Sequence, residues 1–198
     1  ADFTHQSFVV AGRMADYNII IPLLGDYQIE NAATAVAALE VLASSGWDIS
    51  AENIVHGLAQ GQWPGRFQIL RARPAPFVHG AHNEQSMKRL VKSIQDKFDY
   101  DRIFLVLGMS CDKDIAGMVK RLVALSPRII VTRSSHPRAA VPEIVADEFI
   151  ERGIKPEVTD SVSRALLRAL SVAGATDLIC ITGSLFVVAE ALDYFSKG

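Results

Sequence analysis

Two short runs constrain the fold more than anything else in this chain. Phe104-Leu105-Val106-Leu107 and Leu178-Ile179-Cys180-Ile181 are apolar at every position. A strand turns successive side chains to opposite faces, so runs of this kind need cover on both sides. Around them the apolar spacing changes to three and four, as in Met87, Leu90, Val91 and Ile94, which is a helical stripe. From Phe67 onward the two patterns alternate. Strands are expected at Phe67–Arg71, Phe77–His79, Ile103–Leu107, Ile129–Thr132, Glu157–Thr159 and Leu178–Thr182. Helices are expected near Glu84–Lys97, Ile115–Leu125, Val141–Arg152, Ser161–Ala173 and Ser184–Phe195. The alternation predicts an α/β fold, a doubly wound, mostly parallel sheet with helices on both faces.

The first third reads differently. Ser7–Val10 and Tyr17–Ile21 flank Ala11-Gly12-Arg13 as a hairpin. A loop with a Gly25 pivot follows, from Leu23 to Gln28. A helix then runs from Glu30 to Leu42, with Ala33, Val36, Ala37 and Val41 as its apolar stripe, and a second opens at Ser50-Ala51-Glu52-Asn53. The turn Trp63-Pro64-Gly65-Arg66 marks the expected boundary, giving domains of residues 1–62 and 63–198. A two-stranded hairpin is marginal alone. The chain also begins without Met, so it is expected to be the tail of a longer protein.

In an open α/β sheet, ligands bind beyond the carboxyl ends of the strands. Those ends are His79-Gly-Ala-His82-Asn83, Gly108 to Asp112-Lys113-Asp114, Thr132 to Ser135-His136-Pro137-Arg138, and Thr182-Gly183-Ser184. The strands themselves carry almost no polar residues. This segregation predicts a site for a small polar ligand.

Composition removes other classes. The chain of 198 residues is 49% hydrophobic with a net charge of −2, and its pI is near 6.2. Such a balance supports a packed core and offers no basic field for a nucleic-acid backbone. No apolar run reaches membrane-spanning length, and the N-terminus lacks the features of a signal peptide. Cys111 and Cys180 lie far apart and read as reduced thiols, so a cytoplasmic location is expected.

Six motifs occur in one order: Gly25-x-x-Gln28-x-x-Asn31-Ala32-Ala33-x-Ala35, Trp63-Pro64-Gly65-Arg66-Phe67, Gly80-Ala81-His82-Asn83, Gly108-x-x-x-Asp112-Lys113-Asp114, His136-Pro137-Arg138-Ala139 and Thr182-Gly183-Ser184. Together they resemble folylpolyglutamate synthase and the bifunctional dihydrofolate synthase, members of the Mur ligase superfamily. The resemblance runs from about Leu23 to the C-terminus. It implies a Rossmann-like C-terminal domain, preceded by the hairpin and two helices left from an ATPase domain. It also implies an ATP- and Mg²⁺-dependent ligase that adds glutamate to a folate-type acceptor through an acyl phosphate. No Gly-x-x-x-x-Gly-Lys-Ser/Thr is present, so the phosphate cradle and most Mg²⁺ ligands are expected upstream, in the chain's own N-terminal ATPase domain. The fragment alone is expected to be inactive, with no catalytic residue or metal ligand of its own.

The resemblance assigns roles to particular residues. Gln28, Asn31, Arg66, His79 and His82 would bind the nucleotide. Lys113, Ser135, His136 and Arg138 would bind glutamate, with Arg138 on the α-carboxylate. Tyr27 stands where the family more often has His. His79 replaces a family Asp and Glu84 a usual Pro, and a neutral imidazole accepts one hydrogen bond where a carboxylate accepts several. His79 and His82 lack a third ligand for a metal. Asn83 and Asp114 read as helix caps, and Gly183-Ser184 as a turn and cap at least as readily as a ligand contact. Two alternatives stay open: a Mur-type cell-wall ligase domain, and a degenerate domain that binds a nucleotide or protein without chemistry.

Overall fold

A computed structural model of the chain describes residues 5–71 and 74–197. It divides into two compact units, Ala1–Pro64 and Gly65–Gly198.

In the first unit, strands β1 (Gln6–Ala11) and β2 (Asp16–Ile21) pair antiparallel, with Val9 opposite Asn18. Helices α1 (Asp26–Ser44) and α2 (Ala51–Ala59) follow. Alternation along β2 buries Tyr17, Ile19 and Ile21 against Ala32 and Val36 of α1 and Ile54 of α2. Helix α1 starts at Asp26, one turn before the expected Glu30, directly behind the Gly25 pivot at φ 108°. Its buried line is also rotated from the expected one. Gln28, Ala32, Val36 and Glu40 lie inside, whereas Ala37 and Val41 are exposed. Two polar residues can occupy that line because their side chains are spent internally. The Glu40 carboxylate accepts hydrogen bonds from the amides of Arg13 and Met14 at 3.0 and 2.8 Å and from the Tyr17 hydroxyl at 3.1 Å, which closes the hairpin turn. These donors hold its carboxyl below the ordinary carboxylate range.

The second unit holds a six-stranded sheet in the order β3-β4-β8-β5-β6-β7. Its strands are β3 (Arg66–Ile69), β4 (Ala75–His79), β5 (Ile103–Leu107), β6 (Arg128–Val131), β7 (Glu157–Val158) and β8 (Leu178–Thr182). All pairs are parallel except β3 with β4, so the mostly parallel sheet predicted from the apolar runs is present, with one antiparallel edge strand. Helices α3 (Glu84–Lys97), α4 (Ile115–Leu122), α5 (Pro142–Ile150), α6 (Val162–Val172) and α7 (Leu185–Ser196) connect or follow the strands. Val78, Phe104, Val106, Ile130, Ile179 and Ile181 pack on one face with Leu166 and Ala169 of α6 and Val187, Val188 and Ala191 of α7. Leu105, Leu107 and Cys180 alternate to the other face, where α3, α4 and α5 lie side by side. Burial drives the Cys180 thiol pKa up, so it behaves as an inert apolar group.

Helix starts follow local chemistry. Asn83 caps α3 by accepting from the Ser86 amide at 2.8 Å, and the Ser86 hydroxyl oxygen accepts in turn from the Asn83 amide at 3.1 Å. Asp114 caps α4 through the Gly117 amide at 2.9 Å. Ser184 caps α7 through the Phe186 amide at 3.2 Å. At the opposite end of the sheet, Asp177 is 3% exposed and takes both Nε and Nη2 of Arg102, at 3.1 and 2.5 Å.

Candidate functional site

The sheet order makes the carboxyl ends of β4, β8, β5 and β6 consecutive neighbours. Most of the unit's buried polar side chains gather there: His79, Ser110, Thr132, Ser134, Thr182 and Ser184. The ends are stitched together. The Thr182 hydroxyl donates to the His79 carbonyl at 2.6 Å, the Gly183 amide to the Ala81 carbonyl at 3.1 Å, and the Thr132 amide to the Leu107 carbonyl at 2.8 Å.

One group forms where β3 meets β4. Arg66 stands opposite His79 in the antiparallel register, and the Gly80 amide donates to the Gly65 carbonyl at 2.8 Å. Between Arg66 and Gln68 the register shifts, and Phe67 takes φ 47°, a conformation that aromatic residues rarely adopt. Its ring repays that strain by packing: it stacks with Phe77 at 5.6 Å and meets the His79 ring edge-on at 4.4 Å. His79 is 1% exposed. Burial, with the charges of Arg66 and His82 nearby, lowers its pKa to about 3, so the imidazole is neutral. It lies beneath the surface, not on it. His82 is half-buried, and its Nδ1 lies 2.8 Å from the Gly80 carbonyl. A carbonyl only accepts, so Nδ1 donates the proton in that bond.

Gln28 and Asn31 belong to the first unit. Asn31 is exposed on α1 and donates its amide to the Gln28 Oε1 at 2.9 Å, while Gln28 is 6% exposed. The pair is an internal contact of the helix.

The second group brings the β5 and β6 loops together. The Cys111 amide donates to the Arg138 carbonyl at 2.9 Å, and Ser110 bridges to Ala139. Lys113 pairs with Asp112 at 2.9 Å, and Lys113 and Arg138 together hold the Asp112 carboxyl below its usual value. His136 accepts the Arg138 amide on Nδ1 at 3.1 Å, so the neutral ring keeps its proton on Nε2 and offers a donor. Lys113, His136 and Arg138 therefore present ammonium, imidazole N–H and guanidinium from one patch. Ser135 differs: its amide and hydroxyl both donate to Glu190 Oε1, at 2.7 and 2.8 Å. Its single proton is spent, which leaves lone pairs and no donor for a carboxylate.

Two residues of this patch were missed from sequence. Phe186 lies parallel to His136, ring centroids 3.6 Å apart, with the Arg138 guanidinium 5.7 Å from its centre. Glu190 holds Ser135. The only sequence signal is their spacing, i and i+4 on a helix that leaves a strand end.

An open α/β sheet that gathers its polar side chains at four adjacent strand ends defines a domain with a ligand site beyond those ends. Residues 65–185 match the family described as Mur ligase, glutamate ligase domain, and the chain belongs to that family. It is 38% identical over 176 residues to a probable bifunctional folylpolyglutamate synthase/dihydropteroate synthase of Haloferax volcanii, covering 88% of this chain and 20% of that protein. Among solved structures it resembles the folylpolyglutamate synthase of Mycobacterium tuberculosis complexed with ADP, at a TM-score of 0.89 and 26% identity, over 98% of this chain and 46% of that one. It also resembles a bifunctional folylpolyglutamate synthase/dihydrofolate synthase with Mn, AMPPNP and L-glutamate bound, at a TM-score of 0.75 and 27% identity, over 89% of this chain and 41% of that one. The chain thus spans less than half the length of each. No helix among the described residues is long and apolar enough to cross a membrane.

Proposed function

We propose that this chain is the C-terminal part of a cytoplasmic, ATP-dependent ligase that joins glutamate to a folate-type acceptor. It would work with a P-loop ATPase domain of the same protein, and residues 1–62 would be the tail of that domain and the connecting helices. In the reaction, ATP phosphorylates the acceptor carboxylate, the glutamate amine displaces phosphate from the acyl phosphate, and an amide forms.

One observation carries the reading. Lys113, His136 and Arg138, on two loops tied by the Cys111–Arg138 hydrogen bond, form a patch of donors that suits a dicarboxylic amino acid. We assign the glutamate carboxylates to these three residues. Ser135, whose oxygen can only accept there, would face the ammonium or serve the loop. Arg66 and His82 suit a nucleotide, Arg66 on phosphate and His82 through the ring nitrogen not held by Gly80. Gln28 and Asn31 are proposed nucleotide contacts of the first unit. His79 would support that edge from beneath, which makes its departure from Asp compatible with a working site. Among the described residues no group of three His, Cys, Asp or Glu is placed to hold a metal ion. Mg²⁺ is commonly held by one or two carboxylates and the phosphates, and we place its protein ligands on the ATPase domain.

The test is glutamate-dependent ADP formation by the full-length protein with a reduced folate. Arg138→Ala and Lys113→Ala should each raise the KM for glutamate by roughly tenfold or more, as loss of a charge-assisted contact would. Arg66→Ala should raise the KM for ATP instead. Turnover with a muropeptide acceptor and none with folate would overturn the acceptor. Nucleotide binding without turnover on any acceptor would overturn the ligase.

A further inference from the structure

We infer that Phe186 and Glu190 of α7 are positioning residues that set the amino-acid-binding loop through a stacked ring and a buttressing carboxylate. The inference rests on the glutamate-site reading above and extends it to a helix that carries none of the assigned contacts.

Arg138 is exposed and His136 half-buried, on a loop between β6 and α5. Long side chains on such a loop lose rotamer freedom when they bind, and that loss weakens binding. Here two contacts from α7 meet the cost in advance. Phe186 lies 9° from parallel with His136 at 3.6 Å, which fixes the plane of the imidazole. With Nδ1 already accepting the Arg138 amide, ring plane and tautomer together determine where the Nε2–H points. The same ring lies 5.7 Å from the Arg138 guanidinium carbon, a cation–π distance that favours one side-chain orientation. One turn further along, Glu190 takes both the amide and the hydroxyl of Ser135, so the loop is held at its start as well as at its tip. Ser135 is thereby an anchor of the loop. An apolar side chain without a ring at position 186 would leave the helix and sheet intact, because Phe186 is half-buried and stands outside the buried core cluster of α6 and α7. It would remove only the ring against which His136 and Arg138 are ordered.

The experiment compares the full-length protein with Phe186→Leu, Phe186→Tyr and Glu190→Ala. Phe186→Leu and Glu190→Ala should raise the KM for glutamate roughly tenfold, with kcat and the KM for ATP within about twofold of wild type. Phe186→Tyr, which keeps the ring, should restore the glutamate KM. An unchanged glutamate KM in Phe186→Leu would overturn the inference, as would a parallel fall in every parameter together with the urea midpoint. NMR of the His136 ring supplies a readout independent of turnover. Wild type should show ring-proton signals displaced by the Phe186 ring current and an unprotonated Nδ1, and Phe186→Leu should lose the displacement. Should wild type show no glutamate-dependent turnover, the functional reading fails by itself. The NMR comparison then still decides the positioning: loss of the displacement in Phe186→Leu supports it, and identical spectra overturn it.

Discussion

Two glycines offer a matched measurement of how tightly the ligand end of the sheet is packed. Gly153 and Gly183 both have positive φ, 77° and 101°, so alanine at either position meets a backbone penalty of about 1–2 kcal/mol. Their surroundings differ. A Cβ at Gly153 would find nothing within 4 Å, whereas one at Gly183 would lie 2.5 Å from the Gly108 carbonyl oxygen and 2.8 Å from Leu107 Cδ1. Ordinary contact begins at 3.4 Å, so β5 or β8 would have to yield by 3.4 − 2.5 = 0.9 Å at the carbonyl. Overpacking of this kind costs about 1–3 kcal/mol. Gly153→Ala should therefore lose about 1 kcal/mol and Gly183→Ala about 3 kcal/mol, since both gain similarly from a stiffer unfolded chain. Urea unfolding followed by amide exchange at Leu105 and Ile181 reads the second unit directly. Equal losses in the two variants, within about 0.5 kcal/mol, would refute the claim that the β5 and β8 ends are closed against any side chain.

Three further outcomes follow from buried titratable groups. His79 is neutral in the fold, with its pKa lowered from 6.5 to about 3, so the unfolded chain binds an extra proton between those values. The second unit should lose stability as pH falls from 6.5 towards 3, by at most about 1.4 kcal/mol per pH unit, and urea midpoints of His79→Gln should be flatter across that window. Glu40 has a depressed carboxyl pKa, so its contribution is present above the ordinary value of 4.5 and disappears as pH falls through the folded value. Protection of the Arg13 and Met14 amides, relative to their unfolded exchange rates, should fall in acid and, at neutral pH, in Glu40→Ala. Asp177→Ala frees Arg102 and exposes the Gly174 amide, which donates to Asp177 at 2.7 Å, and should cost about 2–4 kcal/mol by thermal or urea unfolding. A loss below about 0.5 kcal/mol would make that ion pair a surface ornament.

Much of the architecture was legible because apolar runs with no polar face admit few folds. Phe104–Leu107 and Leu178–Ile181 had to be interior strands, and the polar residues stranded at their ends had to gather. Pairing was not legible. Nothing in the composition of Leu178–Thr182 says that β8 slots between β4 and β5, since any neighbour would satisfy an all-apolar strand. The antiparallel direction of β3 was equally hidden, and so was the bulge that gives Phe67 its positive φ. On α1 the apolar count pointed to the wrong stripe, because Gln28 and Glu40 are buried by virtue of partners far off in sequence or one turn away. Phe186 was missed for the reverse reason: an aromatic residue on an apolar helix reads as core, and its ring instead faces a loop.

The position of β8 explains why so many glycines surround the site. As the strand between β4 and β5, β8 delivers α7 into the middle of the strand ends, and successive residues of that helix reach different loops. Leu185 Cδ2 would stand 2.5 Å from a Cβ on Gly80, Val187 Cγ2 2.8 Å from one on Gly108, and Val188 Cγ1 2.9 Å from one on Gly65. Phe186 and Glu190 reach the β6 loop. One helix turn thus gauges the turn before Arg66, the turn before His82, the loop before Lys113 and the loop of His136 and Arg138. Side chains on those glycines would push each loop off the helix by a different amount. Loops proposed to hold a nucleotide on one side and glutamate on the other gain from being held against one rigid reference, and α7, buried through Val187, Val188 and Ala191, is the element that supplies it.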